Sequence, residues 1–312
     1  MTMVEDPLRI ATDERLGAYH FGPAHPFGPG RMPAFLEALA GLEIDYADLP
    51  LAEADAATLT RFHTAEYVER VQALAGTGAP LDLGDTPAMP GIDRAAARVA
   101  GTVAAAAEAL AAGEGRRAFV PIAGLHHARR DQASGFCVYN DCGIVLETLL
   151  AAGVAPVAYV DIDVHHGDGV YDGFAADPRV VFADIHQDGR TLFPGTGAAE
   201  AQGEGEAAGT KLNIPLAPGA GDEEFAAAWE RVEAHLARYR PRAILLQCGA
   251  DGLAGDPLAG LRYTAASHAL AARRLRALAE EWAEGRLLAL GGGGYTPANL
   301  AAAWTAVVKA LA

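Results

Sequence analysis

The sequence predicts an α/β fold: one three-layer α/β/α domain over residues 1–312, with a mostly parallel sheet and an active site at its C-terminal strand ends. Three observations predict it. Short β-branched runs alternate with longer, alanine-rich segments of helical character, the pattern of strand–helix units. The strand runs are apolar throughout instead of alternating, as in strands buried on both faces. Polar and titratable residues collect where those runs end, which is where open α/β sheets bind ligands.

In chain order the strand candidates are 118–122, 157–162, 180–185, 243–248 and 287–290. Helix candidates are 92–112, 141–152, 222–239, 263–284 and 297–311. Asp222 is expected to N-cap its helix, and Pro297 suits a first helical turn. Residues 76–91 and 195–209 are glycine-rich and read as surface loops within the domain.

Apolar residues make up 51% and charged residues 21% of the 312-residue chain, a globular composition. The longest apolar stretches, such as 103–112, are interrupted (here by Glu108) and fall short of the roughly 18 residues that span a bilayer. Residues 1–9 carry Glu5 and Asp6 and no apolar core, so no secretion signal is expected. Cys137, Cys142 and Cys248 form no CxxC pair, so reduced thiols and a cytoplasmic location are expected. A net charge of −16 speaks against nucleic acid or a membrane surface as a direct partner.

The strand ends carry the chemistry. His126 and His127 follow the first of these runs, and Asp161, Asp163, His165, His166 and Asp168 close or follow the second. Asp184 and His186 close the third, Asp251 and Asp256 follow the fourth, and Gly291 to Gly294 with Tyr295 follow the last. If the second strand continues to His165, its period of two puts Asp161, Asp163 and His165 on one side, where a carboxylate and an imidazole chelate one metal ion. Catalytic zinc takes three protein ligands and keeps a place for water, and Asp251 is the best-placed third ligand. An Asp/His/Asp set is oxygen-rich, so iron(II) is a chemical rival to zinc. The alternative for these residues is a solvated polar loop, with Asp168 capping a helix and Asp251 in a turn.

His126 and His127 can both face one cavity from a loop, and imidazole can take a proton from water and return it to an amine. Asp161 and Asp168 are the acids left to orient them. The four glycines lack the Lys-Ser/Thr of a P-loop, which discounts nucleotide. They do let Tyr295 lean over a pocket, where a phenol can hydrogen-bond an oxyanion.

Gly124-Leu125-His126-His127-Ala128, Ser134-Gly135-Phe136-Cys137 and the run from Asp161 to Gly169 strongly resemble the histone deacetylase and acetoin-utilisation superfamily, which includes acetylpolyamine amidohydrolases. Phe193-Pro194-Gly195-Thr196-Gly197, Gly249-Ala250-Asp251, Gly255-Asp256-Pro257 and the glycine run with Tyr295 continue it in family order, from about His20 to the C-terminus. The resemblance implies a zinc-dependent amidohydrolase that removes acyl groups from lysine by metal-activated water. It places zinc on Asp163, His165 and Asp251, the tandem pair at His126 and His127 with Asp161 and Asp168 as orienters, and carbonyl polarisation at Tyr295. Gly135, Phe136 and Phe193 would line an acyl-lysine tunnel, and Asp85 would hold the substrate backbone at its rim. Potassium is implied beside the zinc, at Asp161, Asp163, His165, Asp184 and Ile185, although serine is common where this chain has Asp184. A second potassium would lie on backbone around Phe174, Asp177 and Val180.

Three rivals stand beside this reading. Arginase-type hydrolases share the architecture but need carboxylates for two metals, whereas ligands for one are evident. A non-catalytic metal-binding module would keep the fold and lose Tyr295, a histidine or a ligand. Acetylpolyamines or other acylated amines would suit the same tunnel as an acyl-lysine peptide or protein.

Overall fold

In the computed structural model, residues 6–82 and 84–312 are described, so the expectation about the extreme N-terminus lies largely outside them. The strands among them are β1 (Leu8–Ile10), β2 (Tyr46–Asp48), β3 (Arg117–Val120), β4 (Val157–Asp161), β5 (Val180–Gln187), β6 (Lys211–Leu216), β7 (Ala243–Gln247) and β8 (Leu287–Leu290). They form one sheet in the order β2-β1-β3-β8-β7-β4-β5-β6. Every pairing is parallel, a stricter outcome than the mostly parallel sheet expected. Every residue of β3, β4, β5, β7 and β8 is buried, which is why these runs carry no polar alternation.

The helices are α1 (Arg31–Ala40), α2 (Ala56–Leu59), α3 (Ala65–Leu74), α4 (Ile92–Ala112), α5 (Asp141–Ala151), α6 (Asp168–Phe174), α7 (Asp222–Tyr239), α8 (Ala265–Trp282) and α9 (Pro297–Leu311). α1, α9, α8 and α7 pack in one row and α2, α4, α5 and α6 in another. Both rows rest on the central strands β7 and β8, one on each face, which makes the three layers. α4 is long and apolar enough to cross a membrane by length and composition, beyond what the interrupted stretch 103–112 suggested. However, 61% of its apolar window is buried inside the protein, as in a core helix covering a sheet.

Local chemistry sets the helix ends. Pro297 occupies the first turn of α9, as expected. Asp222, expected as an N-cap, is instead the first helical residue of α7; Gly221 caps, and Glu224 returns to the Gly221 N–H at 2.8 Å. The Asp222 carboxylate is drawn away by Thr264 and Ser267 at the start of α8. Three strands were missed: β1 and β2 have three residues each, and β6 carries Pro215, a residue that argues against a strand in sequence. Helices α1, α2, α3 and α6 were missed as well, the first three because the N-terminal third was given no element before residue 92.

Candidate active site

The strand order reverses direction around β3, β8, β7 and β4, and the loops leaving these four strands meet at one place. β4 stops at Asp161, so Asp163 and His165 are not on a strand face as expected. They stand on the bent segment after it, where side-chain carboxylates bind backbone N–H groups. The Asp161 carboxylate accepts from the Asp163 N–H at 2.9 Å, and the Asp163 carboxylate from the His165 N–H at 3.0 Å. This self-capping turn still points Asp163 and His165 to one side.

The loop after β7 brings Asp251 to them. Ligand atoms of Asp163, His165 and Asp251 all lie within 4.8 Å of one another, and all three residues are buried. His165 Nδ1 is 3.2 Å from an oxygen of each carboxylate. Two glycines make the approach feasible. A Cβ on Gly249 would sit 2.0 Å from Asp163 Oδ2, and one on Gly293 would sit 2.1 Å from Asp251 Oδ2. Burial opposes a charged His165, but hydrogen bonds to Asp163 and Asp251 outweigh it and push the imidazole up to about 10. Burial, then the Asp163 charge, pushes Asp251 up to about 6. Such shifts mark a place where the protein supplies too little positive charge, the condition under which a divalent ion displaces protons. Two carboxylates and one imidazole therefore fit a single divalent metal, with coordination left for other ligands.

Beside this triad stands the histidine pair. His126 Nδ1 lies 2.7 Å from Asp161 Oδ2, His127 Nδ1 lies 2.7 Å from Asp168 Oδ1, and the two Nε2 atoms face each other at 3.1 Å. Each imidazole is thus pinned by the acid expected for it. Burial, then the neighbouring His126, lowers the pKa of His127. The pair rides on an irregular loop after β3, held by side chains from elsewhere. Asp141 accepts from the Gly124 and Leu125 N–H groups at 3.0 Å, and the Asn140 amide donates to the His126 and Ala128 carbonyls.

Tyr295 follows the glycine run and its ring meets Phe136 edge-on at 5.8 Å. Burial, then the Asp251 and Asp163 charges, raises its phenol well above the ordinary value. Phe193 is 45% exposed and packs edge-on against His127 at 5.0 Å. Gly135 completes that wall, since a Cβ there would lie 2.6 Å from the His127 ring. Asp85 is exposed in the turn joining Pro80 to Pro87, and Thr86 Oγ1 from the same turn accepts from the Phe136 N–H at 3.0 Å.

Sequence reasoning missed several groups here. Gln247, the last residue of β7, donates to Asp163 Oδ2 at 2.8 Å and to the Gly124 carbonyl at 3.1 Å, while accepting from the Gly249 N–H. A polar residue ending an apolar strand run was the available signal. Arg31 is buried and donates to the Gly292 and Gly294 carbonyls, fixing the glycine run; nothing near it in sequence points there. Asp256, named from sequence at a strand end but given no role there, accepts from the Tyr295 N–H at 2.9 Å.

The cation expectations fare differently. Asp184 faces the cluster, and burial followed by the Asp184 charge raises Asp161 well above its ordinary value. The Asp184 oxygens are engaged by His186 Nδ1 at 2.6 Å and the Gly167 N–H at 2.9 Å. The second expected potassium, on backbone around Phe174, Asp177 and Val180, does not fit this chain. Lys211 Nζ donates to the Asp177 carbonyl at 2.9 Å and the Val180 carbonyl at 2.6 Å, so an ammonium stands where that ion was expected.

A family model for the histone deacetylase domain matches residues 25–311. The chain belongs to the histone deacetylase family. Relatives of this deacetylase-family chain include histone deacetylase clr6 of Schizosaccharomyces pombe, 34% identical over 306 residues that cover 94% of this chain and 74% of that protein. The acetoin utilization protein AcuC of Bacillus subtilis is 35% identical, covering 89% of this chain and 74% of its own length. The crystal structure of the HDA15 HD domain superposes with a TM-score of 0.88 at 28% identity, covering 97% of this chain and 90% of that one. The deacetylase fold, a metal-dependent hydrolase family and its acetyl-lysine class of substrate thus agree with the geometry above.

Proposed function

We propose that this deacetylase-family chain hydrolyses the amide of an N-acyl-lysine in a peptide or protein, with zinc held by Asp163, His165 and Asp251. The observation that carries the reading is the convergence of a buried Asp/His/Asp donor set with two carboxylate-pinned histidines. A zinc ion bound there would polarise the amide carbonyl and lower the pKa of water. His127, neutral because burial and His126 lower its pKa, takes the proton of the attacking water. Asp168 holds its Nδ1–H and steadies the imidazolium that forms. Tyr295 keeps its proton and donates to the oxyanion as the water oxygen bonds to the carbonyl carbon. The C–N bond then breaks, and a proton from the histidine pair leaves on the lysine amine. His126, bound to Asp161, tunes the charge of that pair. Phe136 and Phe193, with Gly135 between them, would flank the alkyl chain of the substrate.

Asp161 and Asp184, with backbone of Asp163, His165 and Ile185, would hold a monovalent cation beside the zinc. Asp184→Ser removes one carboxylate from this place, so turnover should become more dependent on added potassium. A variant less dependent than wild type would contradict this role.

Turnover of an acyl-lysine peptide panel against acetylpolyamines tests the substrate. Peptides are expected to turn over faster, with Asp85→Ala costing more than Asp85→Asn, which keeps an acceptor oxygen for a backbone N–H. Faster turnover of acetylpolyamines than of every peptide would overturn the substrate assignment and leave the hydrolase assignment standing.

A further inference from the structure

Lys211 is the first residue of β6 and is 2% exposed, although lysine is almost never fully buried without a partner. Its three N–H donors are matched by three oxygens: the carbonyls of Asp177 and Val180, and Thr210 Oγ1 at 2.8 Å. All three acceptors are uncharged. The first two belong to the turn from the C-terminal end of α6, at Phe174, into β5, which starts at Val180. That turn is tightened by the Asp177 N–H donating to the Phe174 carbonyl at 3.0 Å. Carbonyls converging at a helix C-terminus build a negative potential that calls for a cation. Rings of such oxygens also strip and hold potassium. An ammonium has the charge of potassium and nearly its size. Burial lowers the Lys211 pKa to about 8, against the opposing pull of Asp177, and this leaves the side chain mainly charged near neutral pH.

We propose that the Lys211 ammonium is a tethered substitute for a bound monovalent ion, closing the α6–β5 turn so that this turn needs no ion from solution. The turn that Lys211 closes follows α6, the helix that begins at Asp168. The inference stands independently of the substrate and of the catalytic metal.

The test is thermal unfolding of the full chain in potassium chloride and in choline chloride at equal ionic strength. Lys211→Ser vacates the ammonium position and leaves room for an ion; Lys211→Met fills it without charge. In choline, Lys211→Ser should unfold roughly 5 °C or more below wild type, because buried carbonyls lose their donors. In potassium it should regain more than half of that loss, beyond any shift seen in wild type. Lys211→Met should stay low in both salts. A serine variant equally destabilised in both salts, or as stable as wild type in choline, would overturn the proposal. Crystals of the wild type soaked in rubidium decide the matter even if the variants fail to fold. No rubidium should bind the Asp177 and Val180 carbonyls, and a rubidium peak there would refute the substitution.

Discussion

His127 is buried and Tyr295 partly buried beside charged groups, and loss of solvent moves them in opposite directions. It lowers the imidazole and raises the phenol, so that one is a free base and the other keeps its proton at the same pH. The split suits the roles proposed for them, a base at His127 and a donor at Tyr295. Tyr295→Phe removes one hydroxyl, keeps the ring against Phe136 and touches no metal ligand. It should retain metal and substrate binding while turnover falls about 10²–10³-fold, the usual effect of losing one oxyanion donor. His127→Ala should be at least as impaired, and near-normal turnover in either variant would contradict these roles. Both residues, their orienting acids and all three donors could be named from sequence. Each is a titratable residue at or within seven residues of the end of an apolar strand run, where a packed core would not place it. Gln247 and Arg31 escaped because their importance lies in the groups they reach, 84 and 261 residues away.

At the scale of elements, strand ends were legible and the loops between them were not. β4 ends four residues before His165, so periodicity selected the right residues for a reason the structure corrects: the Asp161 and Asp163 carboxylates cap their own turn. The loop carrying the histidine pair is likewise held by distant elements. One hold is His63, just before α3, whose Nε2 accepts from the Asn140 N–H at 2.8 Å at the start of α5. Its Nδ1 faces the Arg130 carbonyl at 3.3 Å, which leaves the ring no place for a second proton without losing the Asn140 bond. Burial lowers His63 to about 4. Its folded pKa thus lies below the unfolded value near 6.5, so as pH falls below 6.5 the unfolded chain takes up a proton that the folded chain refuses. Stability should drop as pH goes from 6.5 to 4, by on the order of 3 kcal/mol from this group. Urea unfolding across that range should show a shallower pH slope for His63→Gln than for wild type. Equal slopes would mean that His63 is not held neutral.

For the whole molecule, the order of the sheet matters more than any one strand. Parallel strands with both faces covered leave only the strand ends to present polar groups, and the central four bring theirs to a single place. Alternating strand and helix runs revealed the layers, because buried parallel strands are apolar without interruption. The two edge contributions could not be read that way: β1 and β2 are three residues long, and β6 is partly exposed. Nor could sequence show that Lys211 turns inward, since a single lysine at a strand start ordinarily faces solvent.

Acyl-lysine hydrolysis in this chain is expected to depend on one divalent ion held by Asp163, His165 and Asp251. Acetate release from an acetyl-lysine peptide, measured with metal content on the same sample before chelation, after chelation and after reloading with zinc, tests it most directly. Active protein should carry about one ion per chain, lose ion and activity on chelation, regain both on reloading, and show neither in Asp251→Ala, which leaves too few donors. Undiminished acetate release from ion-free protein would contradict this dependence.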